Sequence, residues 1–338
     1  MKHIFTLLFT LLVLGYFPPD STLGQSSSLI DAAKKEGGKV VVYGSLQDSS
    51  MEPIGKAFQS KIGLELSYWR GTATKVMERV IAEHRAGKPL YDVILTNDNP
   101  MEIMQKEGIF AKYDSPVARD HPDTGTHLDM GPIYRFAIVA VVYNKSVIKP
   151  GDTPKSHYDL LKPQFRGKLA MPDPTQDTTT MRWLSSLHKL MGKERASKYI
   201  PELAATKPVF TEALLAAAER ASTGEVATAI TNLSNLVTFA QKGAPMDYVR
   251  LTTMLGTNHY IVLSKRAPHT NAGKTFIDFF LSEESMTIMA KNGESVNRKG
   301  VYPPIPDIEK VKVIEMEDFD TNGFAEKRKE YQKTFLRQ

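Results

Sequence analysis

Short apolar runs alternate along this chain with segments whose apolar residues recur three and four positions apart. Val40–Tyr43 and Val93–Leu95 are apolar runs of strand length, and Leu64–Tyr68 alternates apolar with polar positions. Between them, apolar residues recur at helical spacing over Met51–Phe58 and Val76–Ile81. Strands that alternate with amphipathic helices predict an α/β fold with mixed, mainly parallel sheets.

A polar loop follows each of these three strands. The loops are Ser45–Ser49, Trp69–Thr72 and Thr96–Pro100. Because the carboxyl ends of parallel strands meet at one edge of a sheet, where ligands bind in open α/β folds, we expect the loops to share a site. The candidate ligand-binding residues of these loops are Ser45, Gln47, Arg70, Gly71, Thr72 and Asn97.

Two later turns also join a strand to a helix through polar residues. The strand Leu169–Met171 ends at prolines and leads into Thr175–Thr180, which opens a helix, and a second turn is Asn232–Asn235. Free backbone N–H groups and the positive end of a helix dipole favour an anion at such turns. Between them, a helix is predicted with Thr211 as its N-cap and Gly224 as its stop. The candidate ligand-binding residues here are Thr178, Thr179, Asn232 and Asn235.

Structural explanations compete with ligand binding at several of these residues. Ser45 or Ser49 could cap a helix, and one of the threonines before the later helix could do the same. Arg70 could pair with a surface acid, and Asn97 could belong to an Asx turn. The planar guanidinium of Arg70 suits carboxylate or phosphate oxygens, which favours ligand contact at that position.

Two apolar strands, Ile138–Tyr143 and Tyr260–Leu263, are predicted to cross between two lobes. The tail from Glu309 onward is charged, and we expect it to be helical and wrapped on the surface. The predicted division is residues 1–24 as a signal peptide, 25–138 with 258–338 as the first lobe, and 139–257 as the second.

The segment Tyr158–Thr180 carries a family resemblance. It runs through Phe165-Arg166-Gly167-Lys168, a short apolar strand, two prolines and a hydroxyl-rich loop. This segment resembles the middle of type II periplasmic solute-binding proteins of ABC importers, in particular the ferric-iron-binding group, and the resemblance extends over Leu29–Val301. It implies a two-lobed fold with a ligand cleft, hinge closure on a solute, and transient docking on an ABC permease in the inner membrane.

The chain departs from the ferric-iron binders where their metal ligands lie. Those proteins resemble this one except that a tyrosine pair stands where this chain has Asn232-Leu233-Ser234-Asn235, and the early histidine of some of them is absent from the loop after Tyr43. We therefore expect no metal and a small organic anion that bears phosphate, phosphonate or carboxylate. Ferric iron, held through a chelate or a synergistic anion, stays open as the alternative.

Composition narrows the class of protein further. A basic start and a short apolar run over residues 4–17 predict a secretory signal peptide, and hence a periplasmic protein. The sequence contains no cysteine, which excludes disulfides, thiolate metal sites and a lipid-anchored amino-terminal cysteine. The net charge of +5 fits an anionic ligand. The sequence lacks the dense stripe of basic residues that is typical of nucleic-acid binding. We expect a monomer.

Catalytic patterns are missing from the sequence. None of the eight histidines has metal-binding spacing on a helix, and no paired carboxylates or glycine-rich nucleotide loop stand out. His121, His127, His157 and His188 are interpreted as solvent-exposed. The sequence therefore predicts a binding protein that is not an enzyme and needs no cofactor, with an enzyme or a sensor on the same fold as the alternative.

Overall fold

A mixed sheet that continues from one lobe into the other organises the computed structural model, which describes residues 21–122 and 130–336. Within these residues the strands are β1 Lys39–Gly44, β2 Glu65–Arg70, β3 Val93–Asn97, β4 Phe110–Ala111, β5 Ile133–Asn144, β6 Leu169–Pro172, β7 Val209–Thr211, β8 Thr228–Asn232, β9 Met246–Tyr248, β10 Thr253–Ser264, β11 Ser295–Val296 and β12 Lys312–Glu315. The helices are α1 Ser21–Lys35, α2 Asp48–Ile62, α3 Ala73–Arg85, α4 Asp98–Lys106, α5 Thr178–Ser186, α6 His188–Met191, α7 Lys193–Ala205, α8 Leu214–Thr223, α9 Ser234–Ala240, α10 Thr270–Phe280, α11 Glu283–Lys291 and α12 Thr321–Tyr331.

The strand order combines two parallel sets with an antiparallel centre. The main path runs β2-β1-β3-β10-β5-β8-β6-β7. β1 is parallel to both β2 and β3, and β6 is parallel to β7 and β8. β10 and β5 are antiparallel to each other, and each is also antiparallel to its other neighbour on the path, β3 and β8 respectively. The α/β prediction is confirmed, and parallel strands dominate within each set but not at the junction.

Two long strands carry the chain between the lobes. Along β5, Tyr134 belongs to an apolar cluster of the first lobe, and Val139 belongs to a cluster of the second. Along β10, Leu255 packs in the second lobe and Ile261 in the first. Each lobe has apolar clusters with helices on its strands, so a helix–sheet–helix arrangement repeats on both sides of the junction. The exact lobe boundaries stay a prediction.

The tail differs from its expected place on the surface of the first lobe. β12 pairs in parallel with β10, with Lys312 opposite Thr253. Beyond β12, the side chains of Tyr331 and Phe335 are buried in an apolar cluster of the second lobe that includes Trp183. The exposed, charged face of the last helix was visible in the sequence, but its two buried aromatic side chains attach it to a lobe that is distant along the chain.

Two helix starts also differ from the sequence prediction. Thr211 ends β7, and its hydroxyl donates to the Ala213 carbonyl, so α8 begins only at Leu214. The helix after the hydroxyl-rich loop begins at Thr178 and is capped by Asp177, whose carboxylate accepts from the Thr180 N–H at 2.6 Å. Gly224 does end α8 in the left-handed conformation that glycine favours.

The predicted solvent exposure of the histidines is wrong for two of them. His121 and His157 are buried, contrary to expectation, and burial lowers the pKa of His157 to about 4. His127 and most of the predicted signal peptide lie outside the described residues. Among the helices that the structure describes, none combines the length and the apolar character needed to cross a membrane.

We expect Tyr331→Ala to destabilise the second lobe. Tyr331 is fully buried, and its hydroxyl lies 2.7 Å from the Ser185 hydroxyl. Truncation of a buried aromatic ring leaves a cavity and should lower the free energy of unfolding by about 3 kcal/mol. Urea denaturation followed by tryptophan fluorescence measures it, because Trp183 lies in the same cluster. Arg328→Ala, at an exposed position of the same helix, is the control, and an equal loss in both variants would contradict the packing described.

Candidate functional site

A cleft of about 890 Å³ lies between the lobes, at the edge of the sheet that the sequence indicated. Its walls come from the loops after β1, β2 and β3 on one side and from the turns after β6 and β8 on the other. The structure brings all ten candidate residues to this cleft. They are Ser45, Gln47, Arg70, Gly71, Thr72, Asn97, Thr178, Thr179, Asn232 and Asn235.

Helix amino ends surround the cleft. The residues that line it include Gln47 at the start of α2, Thr72 at the start of α3, Asn97 at the start of α4, and Thr178 at the start of α5. The first N–H groups of a helix have no partner inside the helix, and the dipole gives that end a partial positive charge. Four such ends converge on one space, which makes the cleft suited to a negatively charged group.

The candidate residues of the first-lobe loops differ in whether their side chains cap a helix. Ser45 caps no helix, since its hydroxyl donates to Thr96 Oγ1 at 3.3 Å and Gln47 occupies the N-cap position. Thr72 does cap α3, because its hydroxyl accepts from the Lys75 N–H at 3.3 Å. Asn97 sits at the N-cap of α4 without a side-chain cap bond.

The second-lobe wall offers free hydroxyl groups. Because Asp177 caps α5, the hydroxyls of Thr178 and Thr179 are not needed for capping, and no described residue bonds them. At the other turn, the Asn235 amide donates to Thr231 Oγ1 at 2.8 Å, which fixes its orientation. Hydroxyl and amide groups held in this way can donate hydrogen bonds to a ligand's oxygens.

Two cations on the first-lobe wall have little or no neutralising partner. The Arg70 guanidinium lies 3.6 Å from the Asp48 carboxylate, and both side chains are about half exposed. The expected surface acid is therefore present, but an exposed pair at this distance holds its partners weakly. The Lys75 ammonium forms no ion pair with any described residue. We call Arg70 and Lys75 the cleft rim.

Gly71 lets the loop after β2 pack tightly against Trp69 and Lys75. A Cβ at this position would lie 2.9 Å from the Trp69 ring and 3.3 Å from Lys75 Cβ. The Gly71 N–H donates to the Gly44 carbonyl at 3.0 Å, so the loop after β2 is tied to the end of β1. A side chain here would displace Trp69, which packs against Tyr43 and Arg79.

The base of the cleft holds a buried charged pair that the loops did not indicate. Arg135 on β5 donates to Glu294 at 2.5 Å, and its other terminal nitrogen lies 3.3 Å from His259 Nδ1 on β10. Arginine can only donate, so Nδ1 accepts and the neutral ring carries its proton on Nε2. Burial, and then the nearby arginines, lower the pKa of His259 well below its ordinary value. We call Arg135, His259 and Glu294 the cleft floor.

A second buried cluster joins the lobes beside the floor. Arg182 of α5 donates to the Asp98 carboxylate of α4 at 3.1 and 3.4 Å, and its Nε donates to the Glu317 carbonyl. Only 7% of the Arg182 side chain and 3% of the Asp98 side chain are exposed. Burial, followed by the Asp98 carboxylate, raises the pKa of Glu315 to about 7 in the same cluster.

The donor set of the cleft is poor in metal ligands. Among the described residues, no group of three or more histidine, cysteine or carboxylate side chains could hold a metal ion. The residues that line the cleft include no tyrosine, and the carboxylate among them, Glu294, is paired with Arg135. Hydroxyl, amide and cationic groups make up most of the lining, and these are donors to anions rather than ligands of a hard cation.

Comparison with known proteins identifies the class. Over residues 39–293 the sequence matches the family described as bacterial extracellular solute-binding protein. The chain belongs to this family. Solved periplasmic binding proteins of type II share its fold over most of its length.

The proteins that this chain is similar to carry different ligands in their names. A putative 2-aminoethylphosphonate-binding periplasmic protein of Salmonella typhi is 25% identical over 249 residues, 68% of each chain. AfuA of Actinobacillus pleuropneumoniae, solved with fructose-6-phosphate bound, has a TM-score of 0.65 and 21% identity, covering 89% of this chain and 98% of that one. Iron-bound HitA of Pseudomonas aeruginosa has a TM-score of 0.68 and 19% identity, covering 88% and 98%. At these identities the structural likeness shows the fold alone.

The sequence analysis did not predict the charged residues of the floor, nor Arg182 of the second buried cluster. From the sequence alone Arg135 could face either the cleft or solvent, and the structure places it in the cleft. Arg182, His259 and Glu294 were not singled out. A signal did exist for Arg135, because it interrupts a largely apolar strand, where a buried charge needs a partner or a ligand.

We expect Glu315→Gln to flatten the decline of stability between about pH 5 and pH 8. The pKa of Glu315 is about 7 in the folded chain against an ordinary value of 4.5, so the folded state favours the protonated carboxyl. That contribution is present at low pH and lost as the pH rises through 7, at a cost on the order of 1 kcal/mol, which glutamine avoids. Thermal unfolding at both pH values measures it.

The control for this prediction is Glu309→Gln, an exposed carboxylate in the preceding turn. It should leave the difference between the two pH values unchanged. An identical pH dependence in Glu315→Gln and the unaltered protein would show that Glu315 is not protonated in the folded state near neutral pH.

Proposed function

We propose that the protein is the periplasmic solute-binding component of an ABC importer and captures a small organic anion in the interlobe cleft. The anion bears a phosphate, phosphonate or carboxylate group. The observation that carries this proposal is the convergence of four helix amino ends with two weakly neutralised cations, Arg70 and Lys75, in one cleft. The sequence relative named for 2-aminoethylphosphonate and the similarly folded AfuA, solved with fructose-6-phosphate bound, support the same class of ligand.

Binding works through closure of the lobes about β5 and β10. The anionic group lies against the rim and the amino end of α3, and the free hydroxyls of Thr178 and Thr179 reach it from the other lobe. Closure is favoured because these second-lobe contacts exist only when the lobes meet on the ligand. The closed monomer then docks transiently on a membrane permease, and no reaction takes place in the cleft.

Ferric iron is the weaker candidate. Iron-bound HitA shares the fold, but the cleft lacks tyrosine among its described lining residues, and Glu294 is already paired. Fe(III) favours charged oxygen ligands, and an uncharged amide and hydroxyl set is a poor substitute.

A thermal-shift panel on ligand-stripped protein tests the class of solute. We expect sugar phosphates or phosphonates to raise the unfolding midpoint in a concentration-dependent way, since a ligand that binds only the folded state stabilises it. The panel includes Fe(III) alone and with citrate. A shift that appears only with Fe(III) present would overturn the proposal in favour of iron.

We expect Arg70→Ala to weaken binding of the strongest anion in that panel by about tenfold or more, because a charge-assisted pair is lost. The unfolding midpoint of the ligand-free protein should barely change, since the exposed contact with Asp48 contributes at most about 1 kcal/mol. Lys75→Ala should weaken binding in the same direction, whereas Lys56→Ala, an exposed lysine outside the cleft, should not. Isothermal titration calorimetry measures all three, and equal losses of stability and affinity in Arg70→Ala would indicate a structural role.

A further inference from the structure

The cleft floor has no net charge, in contrast to the rim. Arg135 and Glu294 form a direct pair, and their residues are only 9% and 7% exposed. His259 is neutral, because burial and the adjacent arginines disfavour its protonated form. Arg182, which lines the cleft beside the floor, is balanced by Asp98. The positive charge of the cleft therefore lies on the first-lobe wall and not at the floor.

The floor offers a ligand both hydrogen-bond donors and a hydrogen-bond acceptor. Only one oxygen of Glu294, Oε2, accepts from Arg135, and the other, Oε1, accepts from none of the described residues. Arg135 Nε is buried and has no partner among those residues, although buried donors are nearly always satisfied. The Nε2–H of His259 is a further donor with no partner in the described chain. A ligand group that both donates and accepts would satisfy such a surface, and a hydroxyl is the simplest.

We propose that Glu294 makes the cleft selective against a second negative charge, so that the solute is an anion whose far end is an uncharged hydroxyl group. This inference rests on the proposed function, in which the rim holds the anionic end. A second carboxylate or phosphate at the floor would lie beside the Glu294 carboxylate in a poorly solvated space, where repulsion is stronger than in water. An ammonium at the floor would have Glu294 as an acceptor but would lie beside the Arg135 guanidinium.

The pairing of β11 with β5 places Glu294 beside Arg135. It directly precedes β11, whose Val296 is paired with Arg135 on β5, and β5 in turn pairs Arg135 with His259 on β10. The pairing of β5 with β10 shifts register between His259 and Tyr260. Such an irregularity re-aims side chains and is common beside binding sites. Glu294 thus acts on the solute directly and also balances the guanidinium charge of Arg135.

Three two-carbon phosphonates test the proposal, since they share the anionic head and differ only in the far end. They are 2-hydroxyethylphosphonate, 2-aminoethylphosphonate and phosphonoacetate, whose ends are neutral, positive and negative. Calorimetric titration of the full protein should give the tightest binding for the hydroxyl compound. Phosphonoacetate should bind about tenfold more weakly or worse.

Substitutions of Glu294 and Arg135 change the net charge of the cleft floor by one unit each. Glu294→Gln leaves Arg135 unbalanced, so phosphonoacetate should come within about threefold of the hydroxyl compound and the amine should lose affinity. Arg135→Gln leaves Glu294 unbalanced and should favour the amine. The double variant Arg135→Gln with Glu294→Gln restores a neutral floor and should restore the original order, which also keeps the test valid if a single variant folds poorly. Ligand-free unfolding midpoints show which variants are folded.

The outcomes separate this inference from the proposed function. Binding of all three compounds with an order that the floor variants do not alter would overturn the selectivity assigned to Glu294 and leave the anion proposal intact. Tightest binding of phosphonoacetate or of the amine by the unaltered protein would do the same. If neither these compounds nor the larger panel of anions bind, the proposed function fails and the inference fails with it.

Discussion

The antiparallel pairing of β5 with β10 is the constraint on which the rest of the structure depends. Both strands pass through both lobes, so the backbone hydrogen bonds that hold each lobe together also join them. The cleft floor lies on these strands, with Arg135 opposite His259. The candidate ligand-binding residues of the walls, such as Arg70 and Thr178, reach the site from strand ends, loops and helix starts that one of the two lobes supports. The position of the floor is therefore fixed by the sheet, and the walls are placed relative to it.

Charge is distributed in the cleft according to how well each group is solvated. The buried cations Arg135 and Arg182 each have a carboxylate partner, as the cost of an unpaired buried charge requires. The exposed cations Arg70 and Lys75 need no such partner, because water stabilises them. In the binding mode proposed above, a ligand would replace this water at the rim, whereas at the floor it would meet groups already neutralised. Burial alone thus produces the contrast between a positive wall and a neutral base.

The sequence predicted much of the fold and the walls of the site because both follow from local patterns. Strand, polar loop and helix amino end recur as a unit, and parallel strands place such loops at one edge, so Arg70 and Thr178 could be assigned to the same cleft from opposite halves of the chain. The floor could not be predicted in this way. Glu294 meets Arg135 across a sequence separation of 159 residues, and no motif or period connects them. The burial of Tyr331 in the tail could not be predicted for a related reason, since the residues around it are distant along the chain.

The first and the last described α-helix, α1 and α12, are attached to different lobes. α1 is attached to the first lobe, where Glu36 accepts hydrogen bonds from the start of α10, whereas α12 leads into the second-lobe cluster. A rotation of one lobe against the other would move these two helices relative to each other. Since the sequence has no cysteine, thiols introduced at exposed positions such as Lys34 and Arg328 would be the only ones present. A pair of dyes at these two sites would therefore make opening and closing of the cleft visible as energy transfer in single molecules.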